Sequence, residues 1–81
     1  MEQQILELLA RVCGDDVVSA HPDINLYDAG LLDSFGFIEL LDAIEDEWGI
    51  TIYPTQIQRT DADTPRRVVA LVQSRLQEKE G

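Results

Sequence analysis

Ser34 has the strongest claim to chemistry in this chain. It sits in the run Leu31-Leu32-Asp33-Ser34-Phe35-Gly36. A serine hydroxyl can act as the nucleophile of a hydrolase, accept a group placed by another enzyme, or cap a helix. The first role needs an adjacent base that is itself oriented by a third group. His21 is the sole histidine. It lies beside Pro22 in a loop-forming stretch with no evident pairing, and neither G-x-S-x-G nor S-x-x-K surrounds Ser34. Unaided hydrolase chemistry is therefore a distant reading, while modification by another enzyme stays open. Capping also stays open, because a serine oxygen accepts bonds from free N–H groups at a helix start. Asp33 can take that place equally well, which would leave Ser34 as the first exposed hydroxyl.

The other reactive side chains point nowhere specific. Cys13 flanks an apolar stripe and reads as a core or boundary thiol. Asp15, Asp16, Asp23 and Asp28 lack the Asp-x-Asp-x-Asp-Gly loop with a terminal Glu that calcium requires, so they read as loop solvation and no metal site is expected. One cysteine and one histidine exclude an internal disulfide, a cysteine zinc cluster and a multi-histidine site.

The elements that position Ser34 can be read from spacing. Ile5, Leu8, Leu9 and Val12 mark a first helix over about 2–13, stopped by Gly14. The second runs from about Ser34 to Trp48 and ends at Gly49. A short helix over about 54–59 comes next. A last helix over about 65–77 has Thr64 as its N-cap, Pro65 at its favoured first position and Val68, Val72 and Leu76 as its apolar stripe. The tail from Gln77 should fray. Arg66 and Arg67 lie off that stripe and read as solvated. Residues 14–33 hold loop formers together with Val17, Val18, Ile24, Leu26, Tyr27, Leu31 and Leu32, so they read as a long loop pinned to the helices, with room for one short helical turn. Ile50 to Tyr53 could pass for a strand but has no partner. The expectation is a single all-α domain over 1–81, a bundle of three main helices and one short one.

Composition narrows the function. The chain has 81 residues with 16 acidic and 6 basic side chains, a formal net charge of −10. A chain this short buries only ~60% of its unfolded surface and cannot enclose a deep catalytic chamber. Its charge repels nucleic-acid phosphates and anionic membranes. It holds no run of the ~20 apolar residues that a membrane span needs, and its acidic start is no signal peptide. A cytoplasmic-type domain, monomeric and without direct membrane insertion, is expected. Residues 12–58 contain ten acids and no Lys or Arg. That block is either plain solubility or a docking face for basic partners.

At about 100° per residue, the second helix puts Phe37, Leu40, Leu41, Ile44 and Trp48 on one arc. Glu39, Asp42 and Asp46 lie opposite, with Phe35 among them and Ile38 at the edge. Apolar anchors among charges are the anatomy of a protein-binding face. The alternative is that the preceding loop covers Phe35 and Ile38.

Leu32-Asp33-Ser34-Phe35 followed by Glu39-Leu40 on an acidic helix resembles the attachment site of the acyl and peptidyl carrier proteins. Within that superfamily the chain is most similar to the D-alanyl carrier proteins of Gram-positive teichoic-acid D-alanylation. The likeness rests on Val12-Cys13, Asp15-Asp16-Val17-Val18, Asn25-Leu26-Tyr27-Asp28, Leu31 to Gly36, Ile38-Glu39-Leu40-Leu41, Ala43-Ile44-Glu45 and Thr64-Pro65. Fatty-acid carriers more often have Gly or Ala before Asp-Ser and Leu after it, where this chain has Leu32 and Phe35.

The resemblance implies a non-catalytic carrier with 4′-phosphopantetheine on Ser34, supported by Asp33, and D-alanine held as a thioester. It implies three partners: a phosphopantetheinyl transferase, an ATP-dependent D-alanine–carrier ligase and a membrane O-acyltransferase complex met at the inner face of the membrane. Phe35, Ile38, Glu39, Asp42, Glu45 and Asp46 would meet them. A cargo as small as D-alanine needs no tunnel, and Phe37, Trp48 and Tyr53 are expected to fill the interior. The competing readings are a fatty-acyl or polyketide-type carrier and, in another class, an unmodified acidic adaptor for basic proteins.

Overall fold

Apolar side chains at three- and four-residue intervals build the molecule, which is described here from a computed structural model covering residues 2–80. Helix α1 (Glu2–Cys13) buries Ile5, Leu8 and Leu9. Gly14 ends it in the left-handed region at φ 72°, and the Gly14 N–H donates to the Ala10 carbonyl at 2.8 Å. Helix α3 (Ser34–Trp48) buries Leu40, Leu41 and Ile44 and is closed by Gly49 at φ 68°. Helix α4 (Pro65–Glu80) begins on a Thr64 hydroxyl that accepts from the Arg67 N–H at 3.2 Å. It contributes Val68, Val69 and Val72 to the core. Helix α1 packs against α3, α4 and a further short helix. No polar or charged side chain among the described residues is buried in this core. None of these helices is long and apolar enough to cross a membrane.

The stretch between α1 and α3 is more ordered than a loop. It contains that short helix, α2 (Val17–Ala20), started by an Asp15 carboxylate that accepts from the Val17 N–H at 3.0 Å. Leu26 is fully buried. Its N–H donates to the Asp63 carbonyl at 2.8 Å, and its own carbonyl accepts from Leu31 and Leu32. The Asn25 side chain accepts from the Tyr27 and Asp28 N–H groups and shapes the turn between them. Buried backbone groups need partners, and these bonds supply them where a ladder does not.

Four expectations are corrected. Arg66 is not merely solvated. Its guanidinium donates to both carboxylate oxygens of Asp23, at 2.8 and 3.3 Å, and ties the loop to α4. That bond holds the Asp23 carboxyl below the usual carboxylate range and raises Arg66 in turn. Arg67 likewise donates to Asp63 at 2.9 Å and to the Thr60 carbonyl at 3.1 Å. Tyr53 does not fill the interior: the extended chain alternates, so Ile50 and Ile52 turn inward while Tyr53 is 58% exposed. The region after α3 forms two 3-10 turns, Pro54–Gln56 and Arg59–Ala62, rather than one short helix. The Asp61 carboxylate accepts from the Gln58 N–H at 2.8 Å and starts the second turn. Helix α4 continues through Gln77 to Glu80, and the fraying expected at Gly81 lies outside the described residues.

Leu26→Ala tests whether the loop is part of the core. It should cost about 2–5 kcal/mol in urea denaturation, in the range of Leu40→Ala. A loss below about 1 kcal/mol would mean the loop is only draped on the helices.

Candidate functional site

The first turn of α3 carries free backbone N–H groups that need acceptors. Asp33 takes this role: its extended backbone precedes the helix and its Oδ1 accepts from the Gly36 N–H at 2.7 Å. Gly36 keeps that approach open, because a Cβ there would meet the Leu32 side chain at 3.1 Å and Asp33 Oδ1 at 3.3 Å. With Asp33 as the cap, Ser34 is left as the first helical residue, exposed and with its hydroxyl free of the backbone.

The Ser34 Oγ accepts one hydrogen bond, from Arg59 Nη2 at 3.0 Å. The same guanidinium lies over the Tyr27 ring, with Cζ 4.4 Å from the centroid. Burial pushes the Tyr27 phenol above its ordinary range, and its hydroxyl oxygen is buried without a partner among the described residues. Ser34, Arg59 and Tyr27 therefore form one cluster from three separate segments. No motif in the sequence singles out Arg59. The usable signal was its place as the first cation after the cation-free stretch 12–58.

Beside this cluster, Phe35 is 73% exposed and Ile38 is 42% exposed, so the loop does not cover them. Glu39, Asp42, Glu45 and Asp46 are exposed on the same helix. Phe37 and Trp48 are half-buried against the core. Anionic side chains thus surround two uncovered apolar anchors next to the hydroxyl. His21 is exposed and lies with Pro22, Asp23 and Ile24 along a separate surface groove, so it provides no base for Ser34. Burial first, and the Asp15 carboxylate second, push the Cys13 thiol above its ordinary range, which disfavours the nucleophilic thiolate. The cluster can present a hydroxyl to another enzyme, but no base within it can deprotonate that hydroxyl.

The model of the phosphopantetheine attachment site family matches residues 3–72. The chain is 49% identical over 76 residues to the D-alanyl carrier protein of Abiotrophia defectiva, covering 94% of this chain and 96% of that one. It is 47% identical over 68 residues to the D-alanyl carrier protein of Bacillus velezensis, covering 84% and 87%. To that of Bacillus subtilis it is 46% identical over 68 residues, with the same coverage.

Two substitutions separate support from display at this site. Asp33→Ala should lower stability by about 0.5–2 kcal/mol through loss of the cap. Phe35→Ala should stay within about 0.5 kcal/mol of wild type, as exposed positions do. Thermal melts of both variants check this, and a large loss for Phe35→Ala would show that it packs against the body.

Proposed function

The chain belongs to the family of carrier domains with a phosphopantetheine attachment site, and on that premise we propose that Ser34 bears the group and that its cargo is D-alanine, for D-alanylation of teichoic acids. One observation supports the choice of Ser34 above others: its hydroxyl stands exposed at a capped helix start, inside the matched residues. The cargo rests on likeness to D-alanyl carrier proteins over nearly the whole chain. The residues fit a 4′-phosphopantetheine group, since nothing buries Ser34 and the rigid start of α3 gives the arm a fixed root.

When bound, the group supplies a terminal thiol on a flexible arm, on which the amino acid is held as a thioester. The chain's own part is to present and to be recognised. Ser34 Oγ would give up its proton to a base of a partner phosphopantetheinyl transferase, attack the pantetheine-side phosphorus of the coenzyme A diphosphate and displace 3′,5′-ADP as the P–O–P bond breaks, becoming an ester oxygen of the resulting phosphodiester. The transferase brings base and Mg²⁺, because among the described residues no base reaches the hydroxyl. Asp33 holds the helix start and, through that, the direction in which Ser34 points. An ATP-dependent D-alanine–carrier ligase then loads the arm. A membrane O-acyltransferase complex receives the cargo at the inner face of the membrane.

These partners take turns on one surface, so each contact has to be brief. Charge attraction speeds encounter without a large, slowly released interface. Glu39, Asp42, Glu45 and Asp46 provide the attraction, and Phe35 and Ile38 provide small apolar anchors. A catalytic role for the chain is not needed anywhere in this scheme.

Incubation with coenzyme A and a broad-specificity phosphopantetheinyl transferase should add the mass of one arm to the wild type and nothing to Ser34→Ala. No gain on folded wild-type protein would overturn the carrier reading and favour an unmodified adaptor. The modified form should accept D-alanine from a D-alanine–carrier ligase in preference to L-alanine, and fatty acids from their ligases poorly; efficient fatty-acyl loading would overturn the cargo assignment. Reversing Glu39, Asp42 and Asp46 to Lys should slow D-alanine loading at low salt by about tenfold or more while leaving the melting temperature nearly unchanged. Unchanged loading kinetics would remove these carboxylates from the docking face.

A further inference from the structure

Packing does not explain the bond between Arg59 and Ser34. Arg59 is exposed, so no burial forces its position. An arginine left in solvent keeps most of its rotamer freedom. Here the guanidinium is held on one side by the Tyr27 ring at 4.4 Å and donates on the other to Ser34 Oγ at 3.0 Å. Its root is also fixed, at the first position of the 3-10 turn Arg59–Ala62. Among the described residues no carboxylate lies within ion-pair distance of it, whereas Arg66 is paired with Asp23 and Arg67 with Asp63. A positive charge without a carboxylate partner is thus aimed at the one hydroxyl that the proposed function would turn into a phosphodiester.

We propose that Arg59 is the residue of this chain that binds the phosphate of the prosthetic group once Ser34 carries it. The inference rests on Ser34 being the attachment point and adds a residue that holds what is attached. A phosphodiester brings one negative charge to a position next to the Asp33 carboxylate, in a stretch that holds no Lys or Arg from 12 to 58. Like charges placed together disfavour each other. Arg59 comes from outside that stretch and supplies the opposing charge. Its planar fork matches phosphate oxygens, which accept more strongly than a neutral hydroxyl. The same side chain therefore passes from the hydroxyl to the phosphoryl oxygens covalently joined to it, and Tyr27 keeps it in place in both states. Arg59 is a positioning residue for the root of the arm, and no bond is made or broken at it.

The test compares apo and modified protein as wild type, Arg59→Lys and Arg59→Gln, with modification verified by intact mass. In the wild type, the Arg59 Nε–H resonance, identified by its absence from the Arg59→Lys spectrum, should shift and exchange more slowly with water after modification. The ³¹P resonance of the arm should differ between wild type and Arg59→Gln. The melting temperature lost in Arg59→Gln should be about 2–4 °C larger in the modified form than in the apo form, with Arg59→Lys between. An unchanged Arg59 resonance, one common ³¹P shift and equal melting losses would overturn the assignment. If Arg59→Gln folds but resists modification, the apo-to-modified comparison of the wild-type Arg59 resonance decides alone. Absence of any mass gain in the wild type would instead defeat the attachment reading, and Arg59's role with it. Normal gain with silent Arg59 signals defeats the Arg59 role alone.

Discussion

A hydroxyl presented to the outside at a defined angle has to be both exposed and fixed, and on a small helical domain these demands conflict. Helix ends are exposed because their N–H groups lack partners, and for the same reason they fray. The bond from the Gly36 N–H to Asp33 Oδ1, at 2.7 Å, resolves the conflict here. It satisfies the helix start with the residue before Ser34, so Ser34 itself need not cap. Were Ser34 the cap, its oxygen would be turned into the backbone and lost to outside chemistry. Gly36 belongs to the same device, since a side chain there would press on the capping carboxylate and on Leu32.

The start of α3 needs a foundation, and the chain before it provides one. Leu26 and Leu32 are buried beneath the turn that leads into Asp33. The Leu26 N–H is bonded to the Asp63 carbonyl, just ahead of α4. Arg66 on α4 reaches back to Asp23, and its own N–H donates to the Pro22 carbonyl at 2.9 Å. The segment that delivers Ser34 is therefore braced by the opposite end of the sequence. The same brace brings Arg59 and Tyr27 to the hydroxyl, because the 3-10 turn that carries Arg59 packs on α4.

Periodicity made the three long helices legible, since Ile5, Leu8 and Leu9 or Leu40, Leu41 and Ile44 have few other ways to share a face. The exposure of Phe35 and Ile38 was legible because both fall within or beside the acidic arc of α3, away from its core stripe. What stayed hidden depended on contacts distant in sequence. Helix α2 has four residues, too few for a helical period to show. Tyr53 reads as filler by type and is exposed because Ile50 and Ile52 take the inward positions. Arg59 and Ser34 are 25 residues apart, and neither local propensity nor spacing announces a side-chain bond across that distance.

The distribution of charge follows from the same division between body and display. Among the described residues the buried core is wholly apolar, and the ion pairs lie at the surface, where they tie loops to α4. The sign of the surface charge is divided: carboxylates crowd the exposed arc of α3, while the cations sit on other segments, two of them paired with loop carboxylates. An uncovered Phe35 is unfavourable for an isolated molecule in water, since exposed aromatic area is area not removed from solvent. Its neighbours offset the aggregation risk, because two copies that approach through this face bring carboxylates against carboxylates. A basic partner meets no such barrier. The exposed arc of α3 therefore disfavours like-charged surfaces and leaves basic ones unopposed, which is selectivity without a deep pocket.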